Sequence, residues 1–238
     1  MLLKDNFYIK IKFNLRNNMK KVLLIILAGM FAAGSTLAQP SFTVGLGLNQ
    51  GVFAAEGSES NFHEGGTQKS RTKEYGAFAD SFASVYVEMG NDTGSIGLSY
   101  QGDLSTPTNV NETNGDDGGS STATSTVSAD FSSVLTLYGL INLPMNLYAK
   151  AGYVQGDIQI NEVQRSGNTY ADQDLKGYVL GLGYQHEADA ANVRFELLGH
   201  AYDDVSATNG VATSGNHNKV EISSMIGASA QISVNKSF

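Results

Sequence analysis

Cysteine and tryptophan are absent from this 238-residue chain, and proline occurs only three times. Without cysteine there is neither a disulfide framework nor a thiolate metal site. Charged residues are also few for a soluble protein, at 16%, while 27 glycines, 11 tyrosines and 11 phenylalanines give a composition that favours extended structure over helix. Long apolar runs are confined to the N-terminus. From Met19 the chain reads Met-Lys-Lys, then an apolar stretch from Val22 to Ala33, then Gly34-Ser35-Thr36-Leu37-Ala38 before Gln39-Pro40. A basic start, a short apolar segment and a small residue at the cut describe a cleavable signal peptide over residues 19–38, with cleavage after Ala38. The stretch falls short of the ~20 apolar residues that a membrane-spanning helix needs. Residues 1–18 are read as an upstream extension of the gene product and are excluded from the fold.

Removal of residues 1–38 shifts the charge balance. That segment holds six of the fifteen Lys and Arg but one of the twenty-three acids, which leaves nine bases against twenty-two acids and a formal charge of −13. So acidic a surface repels phosphate at long range, and nucleic acid is excluded as a partner.

After Pro40 no heptad and no long 3.6-residue pattern appears, but alternation with a period of two recurs. It is clearest at the C-terminus. Val220, Ile222, Ile226, Ala228, Ala230, Ile232, Val234 and Phe238 fall on one face, and Glu221, Ser223, Ser229, Gln231, Ser233 and Asn235 on the other. Seven earlier segments read the same way. Val44, Leu46 and Leu48 lead the first, and Ala83, Val85, Val87 and Met89 the second. Ile96, Leu98 and Tyr100 mark the third; Leu135, Leu137 and Ile141 mark the fourth, whose upper part is less regular. Leu147, Ala149, Ala151 and Tyr153 follow, then Tyr178, Leu180, Leu182 and Tyr184, then Val193, Phe195 and Leu197. Long polar segments (Gly57 to Lys73, Ser105 to Thr126, Glu162 to Asp172, Ala207 to His217) alternate with short turns at Gly90-Asn91-Asp92, Leu143-Pro144-Met145 and Glu187 to Ala191. Eight alternating strands, with long connections on one rim and tight turns on the other, predict an all-β fold over residues 39–238: an eight-stranded antiparallel up-and-down transmembrane β-barrel. A secreted soluble β-sandwich uses similar strands but has no reason to segregate its connections. Tyr100, Tyr153, Tyr184 and Phe195, with Phe238, fall near strand ends on the apolar side, where membrane-interface aromatics sit.

The tracts Leu147-Tyr148-Ala149-Lys150-Ala151-Gly152-Tyr153 and Gly177-Tyr178-Val179-Leu180-Gly181-Leu182-Gly183-Tyr184, with a final strand ending in Phe238, resemble the OmpA/OmpX-like and opacity-type small outer-membrane barrels. The resemblance implies the Gram-negative outer membrane as location, with its lipid and lipopolysaccharide as surroundings. It also implies recognition by the barrel-assembly machinery through Phe238, with Ile232 and Val234 on the same face.

With apolar faces toward lipid, Glu88, Lys150, Arg194, Glu196 and Glu221 point into the lumen. A buried charge without a partner costs several kcal/mol, so these residues are expected to form an ion network centred on Lys150 and Arg194, with Glu88 and Glu196 as partners. In the loops, Asp116-Asp117-Gly118-Gly119 offers hard oxygen ligands that suit calcium but lacks the spacing of an EF-hand. His63, Lys69, Arg71 and Lys73 form a small basic cluster that could meet lipopolysaccharide phosphate. His63, His200 and His217 are the histidines that a hydrolytic site would use, and no hydrolase motif stands beside any of them. The sequence therefore reads as a non-enzymatic barrel without metal or cofactor. It would serve a structural or surface-interaction role through four extracellular loops that contact an external protein or surface ligand; a narrow channel for small solutes or ions is the alternative.

Overall fold

The computed structural model describes residues 41–62, 68–105, 109–113, 123–163, 170–209 and 217–238. The upstream extension (residues 1–18), the signal peptide (residues 19–38), His63 and Asp116 to Gly119 lie outside these residues, and only the backbone of Lys69 and His217 is described.

Eight long strands build one sheet: β1 (Ser41–Phe62), β2 (Gln68–Asn91), β3 (Gly94–Gln101), β4 (Ala123–Asn142), β5 (Leu147–Val163), β6 (Gln173–His186), β7 (Asn192–Tyr202) and β8 (His217–Ser237). Each pairs antiparallel with the next, and β1 pairs with β8 from Thr43↔Ser237 to Phe62↔His217, so the sheet closes on itself. The seam runs to the last residue: the Phe42 N–H donates to the Phe238 carbonyl at 3.1 Å, and the Phe238 N–H donates to the Phe42 carbonyl at 2.8 Å. Closure removes sheet edges, which hydrocarbon cannot solvate. Two short pieces, Leu104–Ser105 and Asn109–Thr113, continue the sheet beside β4, and Val205–Thr208 pairs with β8.

Alternation decides which side of the wall each residue faces. On β1, Val44, Leu46, Leu48 and Val52 are exposed, while Thr43, Gly45, Gly47 and Asn49 are buried. The same holds for Val85, Ile96, Leu137, Ile141, Leu180, Leu182, Leu197, Ile232 and Val234, all exposed large hydrophobics. An apolar belt thus encircles the outside, and the turn Leu143-Pro144-Met145 continues it, with Met145 81% exposed. Met145 and Asn146 close this turn at φ 64° and 60°, the left-handed region that a tight hairpin demands.

Parts of the segments expected to be long loops are strand, among them Gly57 to Phe62 and residues 68–73. β1, β2, β4 and β8 run to 22, 24, 20 and 21 residues, well beyond the roughly 9 to 11 needed to cross a bilayer, so the hairpins rise above the belt as extended sheet. The reason is local pairing: Gly57 to Phe62 find partners on both β2 and β8.

Register shifts fall at three places among the described residues, one of them at the β1–β2 tip between Asn61 and Phe62, and the other two break the alternation within the wall. Ser133 (φ 54°) shifts the β4–β5 register between Ser132 and Leu135, and Ser224 (φ 53°) accompanies the β1–β8 shift between Ala54 and Glu56. An extra residue in a strand swaps the faces of everything beyond it. Above Ser224, therefore, the sequence reading is corrected. Ile222, expected on the outer face, packs against the interior apolar cluster, and Glu221, expected in the lumen, lies outside. Directly opposite Glu221 stands Ser58, which shares the parity of the outward Leu46 and Val52 on β1.

Candidate functional site: the filled lumen

Inward positions of the lower half, near the short turns, carry the charges. β2 supplies Tyr86 and Glu88, β4 Tyr138, β5 Tyr148 and Lys150, β6 Gln185, and β7 Arg194 and Glu196. Arg194 Nη1 lies 2.6 Å from Glu88 Oε1, and Lys150 Nζ lies 3.0 Å from Glu196 Oε2. Each carboxylate also accepts a tyrosine hydroxyl: Tyr138 donates to Glu88 at 2.8 Å and Tyr148 donates to Glu196 at 2.8 Å. Arg194 Nε donates to Gln185 at 2.6 Å. Lys150 lies over the Tyr138 ring at 4.2 Å, and the Arg194 guanidinium lies between the rings of Tyr86 (5.6 Å) and Tyr148 (5.4 Å). Two acids and two bases neutralise one another, and tyrosine hydroxyls, Gln185 and ring faces add further contacts to these desolvated charges.

Each of these tyrosines reaches over its neighbouring strand to a partner two strands along, because a glycine stands beside it there. Gly97 pairs with Tyr138 and Gly183 with Tyr148 across adjacent strands, and a Cβ at those glycines would stand 2.4 and 2.2 Å from the rings. Gly45 seats Tyr86 in the same manner, and the Tyr86 hydroxyl hydrogen-bonds Ser233 at 3.0 Å. A side chain at any of the three would push the ring out of reach of its partner. The inward glycines thus fill the barrel indirectly.

Above the charges the lumen changes character. Phe53, Phe82, Phe131, Val134, Val154, Ile158, Leu175, Val179, Leu198 and Met225 form a buried apolar cluster, with Ile158 and Val154 at 0% and 1% exposure. Phe78 stacks between Phe53 (5.4 Å) and Phe131 (6.1 Å). Below the charges, a cavity of about 570 Å³ opens toward the short-turn end, lined by Glu88, Asn142, Tyr148, Gln185, Asn192 and Arg194 among others. The lumen is thus an open vestibule, then a charge-paired polar layer, then an apolar layer.

The structure brings together Glu88, Lys150, Arg194 and Glu196, and places Glu221 elsewhere. On the outer wall above the belt, Glu221 meets Arg71 at 3.1 Å and Lys219 at 2.5 Å, while Glu56 pairs with Lys73. The hydrogen bond from Lys219 is the main cause that holds the Glu221 carboxyl below its ordinary range, and the Lys73 and Tyr75 hydrogen bonds do the same for Glu56. Arg71 and Lys73, read as part of a basic cluster, are therefore both engaged with acids.

Tyr100, Tyr153, Tyr184 and Phe195 face outward. Tyr184 and Phe195 are cross-strand partners near the short turns; Tyr100 and Tyr153 stand further up, and Tyr153 meets Tyr178 edge-on at 5.6 Å. Tyr75, not among the expected interface aromatics, is 82% exposed at the top of the β2 apolar face with Lys73 and Arg71 beyond it. Ile232, Val234 and Phe238 are exposed on the outside of β8 and at its end. His200 faces the lumen, with Nε2 at 2.8 Å from Ser229 Oγ, and both residues are buried. Among the described residues no group of three His, Asp or Glu is disposed to hold a metal.

A closed wall with an apolar exterior and a polar, charge-paired interior half defines the class: this is an eight-stranded transmembrane β-barrel of the outer-membrane type, and the outer membrane is its place. No protein-family model and no curated protein matches the sequence. Among solved structures, the outer membrane protein OprG from Pseudomonas aeruginosa is similar over 81% of this chain and 95% of its own, at 13% identity and a TM-score of 0.49. Outer membrane protease OmpT from Escherichia coli follows at 9% identity and a TM-score of 0.40, over 82% and 97% of the two chains. Neisserial surface protein A is similar at 9% identity and a TM-score of 0.29, over 77% and 96%. None of these likenesses bears on function.

Proposed function

We propose that this barrel is a non-enzymatic outer-membrane protein that keeps its lumen shut and works through its exterior. The observation that supports this most is the two-layer filling, in which the buried Glu88–Arg194 and Lys150–Glu196 pairs sit beneath the apolar cluster around Phe53, Phe131 and Ile158. A solute crossing it would have to displace both buried ion pairs and a packed apolar layer, each resistant for a different physical reason. The exterior offers the hairpins of β1–β2 and β8, whose outer faces carry Arg71, Lys73, Lys219, Glu56 and Glu221 above the belt as a surface for an external protein or for lipopolysaccharide. The exposed Phe238, with Ile232 and Val234 on the same side of the seam, suits recognition by the barrel-assembly machinery.

A narrow channel is the competing reading, and planar-bilayer recording separates the two. Refolded protein at pH 7.5 is expected to add no current to the bare membrane. Sustained unitary steps at that pH would replace the closed barrel with a channel.

A further inference from the structure

His200 occupies the seam between the polar and apolar layers of the lumen. Its Nε2 is bonded to Ser229 Oγ at 2.8 Å, and its ring lies against Tyr202 (6.1 Å, 4° between planes) and Phe53 (5.7 Å), the latter a member of the apolar cluster. The titratable and charged groups facing it are Tyr202 and Glu196 on its own strand and Lys150 on β5, whose ammonium acts on it through space. On β2, Asp80 shares the lumenal parity of Phe78 and Phe82 and lies level with Ser229 through Gly51, and its Oδ1 accepts the Ser81 N–H at 2.7 Å. Phe53 on β1, Val179 on β6, and Ser229, Gln231 and Met225 on β8 bring no charge. Deeper in the lumen, Glu88 and Arg194 are held to each other.

From this placement we propose that His200 is a proton-operated latch on the lumen. While neutral, it closes a charge-balanced polar layer, since a hydroxyl serves either tautomer as donor or acceptor. Protonation adds one positive charge beside a polar layer in which Glu88 and Glu196 are already matched by Arg194 and Lys150. The hydrogen-bond partners of the imidazole are hydroxyls, Ser229 Oγ and Tyr202 Oη, and not carboxylates. Glu196 lies four residues along β7, ~13 Å away by strand rise, and is occupied by Lys150 and Tyr148. The imidazolium is repelled by Lys150 and, with hydroxyls rather than a carboxylate bonded to it, draws water and anions into the seam or takes Glu196 from Lys150. Either change loosens the packing of Phe53 and Tyr202 and links the vestibule to the outer end. The inference thus goes beyond the closed barrel: the barrel is shut at neutral pH and conducts at acid pH.

Planar-bilayer recordings at pH 7.5 and pH 4.5 test it on wild type, His200→Gln and Ser229→Asp, each first shown to be folded by heat-modifiable migration. Glutamine keeps a donor for Ser229 and cannot be protonated. Aspartate places a counter-charge beside the imidazole. Wild-type current is expected to rise several-fold on acidification, with both variants flat; if one variant does not fold, the other decides. An acid response that survives in a folded variant, or its absence from wild type, overturns the latch. Current in wild type at pH 7.5 contradicts the closed-barrel reading, and the latch still stands if a His200-dependent rise at pH 4.5 accompanies it.

Discussion

Replacing Glu196 by alanine is expected to lower the unfolding free energy of the barrel by about 3–5 kcal/mol, the scale set by removing one member of a buried ion pair. Most of that cost comes from what is left behind. Lys150, with a side chain 9% exposed, would keep its ammonium under the Tyr138 ring without a carboxylate, and Tyr148 would lose the acceptor for its hydroxyl. Removing the charge at both ends tells the cost of an orphaned ion from the worth of the pair. Glu196→Ala with Lys150→Met is expected to recover most of the loss, because two apolar groups of suitable volume need no mutual neutralisation. Since the chain has no tryptophan, urea unfolding in lipid vesicles is best followed by the fraction migrating as the folded band. A single-variant loss below ~1 kcal/mol, the range of exposed pairs, would mean that water reaches the polar layer and that it is not a seal.

The second large effect belongs to the outer wall. Leu180 is 66% exposed on β6, between the outward Tyr178 and Tyr184, in the middle of the belt. Leu180→Arg is expected to destabilise the barrel by about 2–4 kcal/mol in a bilayer, the cost of a guanidinium near the midplane of a barrel's lipid face. Glu74→Arg on β2, beyond Tyr75 and above the belt, is expected to change stability by no more than ~0.5 kcal/mol. In a soluble protein both substitutions would be surface changes of similar small size, so the contrast between them reads out the lipid. Equal small effects would place the Leu180 face in water.

Much of this barrel is legible in its sequence because strand geometry is coarse. Alternation at Leu46, Val85, Leu137, Leu180 and Ile232 assigns faces without any knowledge of which strand neighbours which. The same alternation brings Glu88, Lys150, Arg194 and Glu196 to one side of the wall. What stays hidden depends on register and on single residues. The partner of Arg194 is Glu88, distant in sequence and reachable only once β2 and β7 are wrapped around a common axis. The seating of Tyr148 over Gly183 and of Tyr138 over Gly97 needs the pairing of strands to be known, although each residue type is plain in the sequence. The bulges are the sharpest case. Ser133 and Ser224 adopt left-handed backbone conformations with no glycine or asparagine to announce them, so the regular reading carries Glu221 into the lumen and Ile222 out of it, the reverse of the fold. The polar composition of Gly57 to Phe62 likewise suggests a loop, whereas pairing on both sides makes it strand above the membrane.

Membrane insertion as a closed barrel underlies the closed lumen, the lipid-facing belt and the latch alike, and heat-modifiable migration tests it most directly. Isolated outer membranes, run boiled and unboiled on the same gel, are expected to contain the protein and to show a faster band without boiling, because a closed hydrogen-bonded wall resists detergent until heated. Recovery in the soluble periplasmic fraction, with one band position under both conditions, would contradict the transmembrane barrel.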